Sequence, residues 1–146
     1  MRLSTKARYG LRLMLNLASR YGDGPVLLRE IAEREQISEK YLSLIIIPLR
    51  VDGLVQSARG AYGGYSLARA PEEITVKHII HALEGETALV NCVKNPAVCL
   101  RVQTCPTREV WAILGEKIGE TLDGMTLASL VKKSRDMEEN TLINSI

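Results

Sequence analysis

Apolar residues recur at helical spacing from the start of the chain. Leu3, Ala7, Leu11, Met14 with Leu15, and Leu17–Ala18 share one face, which predicts an amphipathic helix over about 3–20. The pattern stops at Tyr21-Gly22-Asp23-Gly24-Pro25, a dense cluster of turn formers. A second helix is expected over about Leu28–Glu35, with Ile31 and Ala32 facing inward. Ser38 is placed to cap a third over about Glu39–Asp52, with Leu42 and Ile45 turned to the core. Pro48 falls inside that stretch and is expected to kink or shorten it, and Gly53 suits its end.

The periodicity then changes. Leu54-Val55 and Tyr65-Ser66-Leu67 predict two short strands around Arg59-Gly60-Ala61-Tyr62-Gly63-Gly64, where glycine at three of six positions marks a hairpin tip. Thr75 can cap a helix over about Val76–Leu83, ending near Gly85. Residues 91–106 show no helical period, contain Pro96 and Pro106, and read as a loop. A long helix follows from about Thr107 to Leu122, with Val110, Trp111, Leu114, Ile118 and Leu122 tracing one stripe. Thr126 caps a last short helix, 127–133, and the polar tail 134–146 is expected to be flexible. The fold class is therefore mainly α with a small β-hairpin wing. It comprises a winged helix-turn-helix over 1–85, a cysteine loop over 86–106, and a long helix, the candidate dimerisation helix by its apolar stripe, with a short helix over 107–133.

Composition narrows the function classes. In 146 residues, 46% hydrophobic and 25% charged, there is no Phe and one Trp, so the core rests on aliphatic side chains. The longest apolar runs, such as Leu44–Ile47, are too short to span a bilayer, and no secretory signal is visible, so the chain is expected to be cytoplasmic. The net charge of +2 is unevenly spread: residues 1–70 carry 11 Lys/Arg against 6 Asp/Glu, and residues 71–146 carry 8 against 11. A basic first half favours a polyanionic partner. No phosphate-cradling glycine loop precedes a Lys-Ser/Thr pair, and no base accompanies the thiols, so the chain is not read as an enzyme.

In a winged helix-turn-helix, one helix braces a second whose N-terminal residues reach base edges in a groove about 12 Å wide. The candidates for that role are Ser38, Glu39, Lys40, Tyr41 and Ser43. Arg59 beside Gly60 can enter a narrow A·T-rich minor groove from the hairpin tip. Arg2, Lys6, Arg8, Tyr9 and Arg12 are candidate phosphate contacts. The three cysteines, Cys92, Cys99 and Cys105, all lie within one 14-residue stretch, an odd number that argues against a disulfide framework. Structural zinc favours closer Cys-x2–4-Cys spacing than these gaps provide, whereas thiolates on a flexible loop suit iron–sulfur iron.

The strings Ile37-Ser38-Glu39-Lys40-Tyr41-Leu42, Gly53-Leu54-Val55 and Arg59-Gly60-Ala61-Tyr62-Gly63-Gly64-Tyr65 resemble the IscR/NsrR/CymR family of bacterial winged-helix regulators. The opening Met1–Gly10 and the run from Ile74-Thr75-Val76 to Ala82-Leu83-Glu84-Gly85 fit the same resemblance, which covers about residues 1–133. It implies a homodimer that represses transcription at a palindromic double-stranded operator, with the long helix crossing to its partner. It also implies that Cys92, Cys99 and Cys105 hold a [2Fe–2S] or [4Fe–4S] cluster that switches DNA affinity. The alternative is a repressor sensing by thiol oxidation or through a protein partner.

Two departures from the family pattern matter. Ser43 and Leu44 stand where the family often has Glu and Gln, and Leu cannot grip adenine with paired hydrogen bonds. Arg108 stands where IscR-type members place a histidine ligand, and residues 1–22 lack the carboxylate available to NsrR-type members. The fourth ligand is then His81, His78, Glu84, Glu109, Asn91 or an exogenous molecule, leaving a weak or open coordination site.

Overall fold

Ser4 opens the first helix by accepting a hydrogen bond from the Ala7 amide at 3.0 Å. The computed structural model describes residues 3–145, so the candidate contact Arg2 lies outside the described residues. Helix α1 (Thr5–Ser19) is followed by α2 (Leu28–Glu35) and α3 (Glu39–Val51). Strands β1 (Val55–Ala58) and β2 (Gly64–Leu67) pair antiparallel, with Val55 opposite Leu67 and Ala58 opposite Gly64. After a 3-10 turn at Pro71–Glu73 come α4 (Val76–Glu84), α5 (Asn91–Lys94), a second 3-10 turn at Pro96–Val98, α6 (Pro106–Asp123) and α7 (Leu127–Asn144). This is the winged helix-turn-helix with an appended long helix that the sequence pattern predicts.

Helix α1 is the hub. Leu13, Met14, Leu17 and Ala18 join Ile31, Leu42, Ile45, Ile46 and Leu49 of α2 and α3, and Ile79 and Leu83 of α4, in one buried aliphatic core. The expected inward residues Ile31, Ala32, Leu42 and Ile45 are all buried. Gln36, between α2 and α3, takes a left-handed φ of 55°, and the following Ile37 amide donates to the Ala32 carbonyl at 3.0 Å. That reversal sets the angle of α3 against its brace. Pro48 neither ends nor shortens α3 by more than a turn: the helix continues to Val51, and the Asp52 amide donates to the Pro48 carbonyl.

Thr75 and Thr126 each form a capping box, with His78 and Ser129. The two helix starts are tied together by Val76 N–H to the Met125 carbonyl at 2.8 Å and Leu127 N–H to the Ile74 carbonyl at 2.9 Å.

Two segments differ from expectation. The helix capped by Thr126 does not stop near 133 but runs unbroken to Asn144. Residues 134–144 contain no Gly or Pro and include Arg, Met, Leu and three Glu/Asp, so their polarity places them on a solvated helix face without favouring coil. The cysteine segment is not wholly irregular either: α5 is one turn of helix, and the Asn95 side chain caps the Pro96 turn by accepting from the Ala97 amide at 3.2 Å.

Gly10 and Gly64 are two of the positions where sterics require glycine. A Cβ on Gly10 would overlap Leu83 Cδ1 and lie 3.3 Å from Ile45 Cγ2, where α1 crosses α3 and α4. Gly64 has φ of 140°, and a Cβ there would lie 2.5 Å from the Val26 carbonyl oxygen. Val26 and Tyr65 exchange two 2.8 Å backbone hydrogen bonds at that point, anchoring the hairpin to the end of the α1–α2 loop.

Alanine in place of a mid-helix glycine ordinarily gains up to about 1 kcal/mol of propensity, while overpacking a closed core costs about 1–3 kcal/mol. Gly10→Ala is therefore expected to destabilise by about 1 kcal/mol, read as a lower urea midpoint at unchanged slope. Gly64→Ala combines backbone strain with a clash against main chain that cannot swing aside, and is expected to cost about 2 kcal/mol. Hydrogen exchange at the Val26 and Tyr65 amides should accelerate in that variant while the α1–α4 core stays protected.

Candidate nucleic-acid interface and cysteine strap

The inner face of α3 is closed by Leu42, Ile45, Ile46 and Leu49, which leaves Glu39, Lys40, Ser43, Leu44, Ile47 and Val51 on the outside. The five candidate readers do not stand alike. The Ser38 hydroxyl accepts from the Tyr41 amide at 3.3 Å and serves as the helix cap. The Ser43 hydroxyl donates to the Lys40 carbonyl at 2.6 Å. Tyr41 is half-buried with its ring edge-on to Tyr9, centroids 5.9 Å apart. Glu39 and Lys40 remain as outward-facing charged side chains.

Tyr9 is likewise half-buried, and Arg12 sits 5.5 Å from its ring centre while pairing with Glu35 at 3.0 Å. Tyr9, Tyr41, Arg12 and Glu35 thus form a brace joining α1, the end of α2 and the start of α3. Lys6 and Arg8 are exposed on α1.

Sequence periodicity did not single out Leu44, which is 59% exposed, or its neighbours on the same open face, Ile47 and Val51. The signal was available: buried positions 42, 45, 46 and 49 follow helical spacing, so the residues between them must face outward.

At the wing, Arg59 and Gly60 are exposed, and the tip is closed by the Gly63 amide donating to the Gly60 carbonyl at 3.0 Å. Gly60 has φ of 100°, a left-handed value that suits glycine. Tyr62, also passed over by sequence reasoning, is 93% exposed beside them.

The strap between α4 and α6 lies directly on α6, because Gly115 and Gly119 offer bare backbone there. A Cβ at Gly115 would come within 3.2 Å of the Thr87 carbonyl oxygen. Cys92 (on α5) and Cys105 (the N-cap of α6) are half-buried, Cys99 is exposed, and all three thiols are free. The thiol of Cys105 is held below the ordinary value, first by the Thr107 hydroxyl and then by the Arg108 amide at the helix start. Arg108, which cannot ligate iron, donates from Nε to the Cys92 carbonyl at 3.1 Å and so ties the strap back to α6.

Among the described residues no three His, Cys, Asp or Glu side chains are gathered closely enough to hold a metal ion. The three thiols, as soft thiolate donors, suit the iron of an iron–sulfur cluster. The structure also separates the fourth-ligand candidates. His78 Nδ1 accepts from the Thr75 amide in the capping box, and Glu84 accepts from Ser4. His81 Nε2 is buried without a hydrogen-bond partner. It borders a hollow of about 480 Å³ shared with Val93, the neighbour of Cys92. Glu109 and Asn91 are exposed.

Along α6 the expected stripe divides. Val110, Trp111 and Leu114, joined by Ile113, are exposed, whereas Ile118 and Leu122 are half-buried beside a hollow of about 650 Å³ with Leu3, Ile80 and Leu89. Among the described residues no helix is long and apolar enough to cross a membrane.

Residues 3–133 match a protein family described as Rrf2, iron-dependent transcriptional regulator. The chain is 40% identical over 139 residues to the HTH-type transcriptional regulator CymR of Bacillus subtilis, a match covering 95% of this chain and 96% of the relative. It is 39% identical over 131 residues to the HTH-type transcriptional regulator IscR of Erwinia tasmaniensis, covering 90% and 79%. The solved structure of T. potens IscR superposes with a TM-score of 0.76 at 42% identity, covering 92% of this chain and 88% of that one. A helix-turn-helix, a wing and a long trailing helix, matched over nine-tenths of the sequence to regulators and not to enzymes, establish that this chain belongs to the Rrf2 family of DNA-binding transcriptional regulators.

Proposed function

We propose that two copies of this chain, joined along the exposed apolar face of α6, bind a palindromic duplex operator in the cytoplasm and repress transcription there. The state of the cysteine strap sets their affinity. The observation that carries this reading is α3 itself: a helix sealed from behind by four aliphatic side chains, presenting Glu39, Lys40, Ser43 and Leu44 outward. In this reading Lys40 and Glu39 meet base edges or phosphates in the major groove. Ser38, Tyr41 and Tyr9 hold the helix at its working angle, and the Ser43 hydroxyl closes its first turn. Arg59 enters the minor groove where Gly60 lets backbone approach, and Lys6, Arg8 and Arg2 neutralise phosphates.

The strap residues that would hold an iron–sulfur cluster are Cys92, Cys99 and Cys105, with His81 Nε2 or an exogenous molecule as the fourth ligand. When bound, the cluster supplies thiolate–iron bonds across a segment that is otherwise spread out. The chain's own part is mechanical. Drawing three points of one strap together shifts α6 relative to α4, and α4 packs on α1 and α3. In a dimer, half-sites lie about 34–36 Å apart, so a small change at α6 alters their fit. Moving such a balance from 1:99 to 99:1 takes about 5.5 kcal/mol of differential binding.

A second reading keeps the DNA-binding role but senses through thiol oxidation or a protein partner. The free, accessible thiols support it, as does the similarity to both CymR and IscR.

Anaerobic purification separates the readings. The cluster reading expects visible absorbance that is lost in each of Cys92→Ala, Cys99→Ala and Cys105→Ala, with DNA-binding isotherms that differ between loaded and unloaded protein. Colourless protein whose DNA affinity changes on mild oxidation supports the second reading. Coincident isotherms in every state remove the switch. Arg59→Ala is expected to weaken operator binding by about tenfold, the loss of one good groove contact. A chain that is monomeric and indifferent to any palindromic duplex at low salt would overturn the whole reading.

A further inference from the structure

Three large aliphatic side chains stand on the open side of α3: Leu44 at 59% exposure, Ile47 at 47% and Val51 at 76%. Their spacing of three and four residues, continued backwards to the exposed Lys40, sets all four in one stripe along the helix. Single exposed aliphatic residues are ordinary, whereas a contiguous row of them marks a contact surface.

The surroundings of the stripe point to its partner. Lys40 heads it, Arg50 adjoins Val51, and Lys6 and Arg8 of α1 and Arg59 of the wing are exposed. Over residues 1–70, 11 Lys/Arg stand against 6 Asp/Glu. Hydrocarbon framed by cations complements a polyanion that itself carries apolar groups. A DNA duplex is such a partner, and the chain belongs to a family of DNA-binding regulators. In the major groove only thymine displays hydrocarbon, its C5-methyl group, while guanine, cytosine and adenine display donors and acceptors.

The polar groups around Leu44 do not take over its place. The Ser38 hydroxyl accepts from the Tyr41 amide at 3.3 Å, and the Ser43 hydroxyl donates to the Lys40 carbonyl at 2.6 Å. Glu39 and Lys40 are left for polar base edges, about one helical turn ahead of Leu44. Leu44 itself has neither donor nor acceptor. Set against a polar edge it would leave that edge without a partner, whereas a methyl group asks for none.

We propose that Leu44 is a specificity-determining residue that reads a thymine methyl group in the major groove of each half-site, with Ile47 widening the apolar contact. The assignment rests on the paired duplex binding proposed above and deepens it by naming the base that α3 selects. Discrimination works in both directions, by contact with the methyl and by rejection of the three polar edges.

The test starts by selecting duplexes from a randomised pool with the full chain, purified anaerobically. A palindrome with thymine at a fixed place in each half-site should be enriched. Deoxyuridine is then put in place of each thymine in turn, which removes one methyl group and keeps the base pair. At one place this is expected to weaken binding about fourfold in one half-site and about fifteenfold in both, the burial of one and of two methyl groups. Leu44→Ala should weaken the thymine operator and bring the thymine-to-uracil affinity ratio at that place to about one. Lys40→Ala should weaken both operators by the same factor and keep the ratio. Leu44→Gln, whose amide can pair with adenine, should shift the base selected there from thymine to adenine. Circular dichroism and melting curves matching the parent chain confirm that the variants fold.

An enriched palindrome indifferent to uracil at every place would overturn the role of Leu44 and leave the operator reading standing. So would a uracil effect that Leu44→Ala does not change. Leu44→Ala that splits the dimer at an unaltered ratio would make the stripe a protein contact and equally overturn the assignment. Enrichment of no palindrome would remove the operator reading, and this assignment with it.

Discussion

Helix α1 is the element on which most of the others pack. Ala7, Gly10, Leu13, Met14, Asn16, Leu17 and Ala18 are buried, and α2, α3, α4, α7 and β2 all pack against it. A helix used this way has little freedom to vary: Gly10 admits the crossing of α3 and α4, and the Tyr9–Tyr41 edge contact fixes the start of the reading helix. The working surfaces are positioned from this one buried rod. The reading helix lies on it directly, the wing is stitched to the loop that leaves it, and α4 carries the strap that leads to α6.

The architecture was legible in the sequence because each element announces itself through independent signals. Ser38, Thr75 and Thr126 all cap helices in the structure, and Gly53 and Gly85 follow helix ends with positive φ. The hairpin was legible from Gly63 and Gly64, whose roles prove steric, since a side chain at either would strike main chain. Helix α7 was misjudged for a physical reason. Its second half buries nothing large, so it lacks the apolar stripe by which helices are usually recognised, yet it is built of good helix formers after a strong cap.

The candidate interface was legible only in outline. Sequence order places Ser38, Tyr41 and Ser43 at the start of the reading helix, but their hydroxyl and ring groups are spent on a cap, a backbone carbonyl and a neighbouring ring. Hydrogen bonds within one helix turn and an edge-on ring contact leave no mark on hydropathy, so chain position alone cannot separate a reader from a brace. The same holds for His78 and His81, one turn apart on α4: one is consumed by a capping box and the other carries an unpartnered nitrogen.

The strip formed by Leu44, Ile47 and Val51 on the open side of α3 bears on the proposed complex. Aliphatic groups in a groove have no hydrogen bonds to offer, and their contribution comes from releasing the water that coats them and the thymine methyls they would meet. An interface with such a strip is less dominated by ion pairing than a purely basic one, so its affinity should fade less steeply with salt. Its binding enthalpy should become more favourable on warming, the heat-capacity signature of dehydrated hydrocarbon.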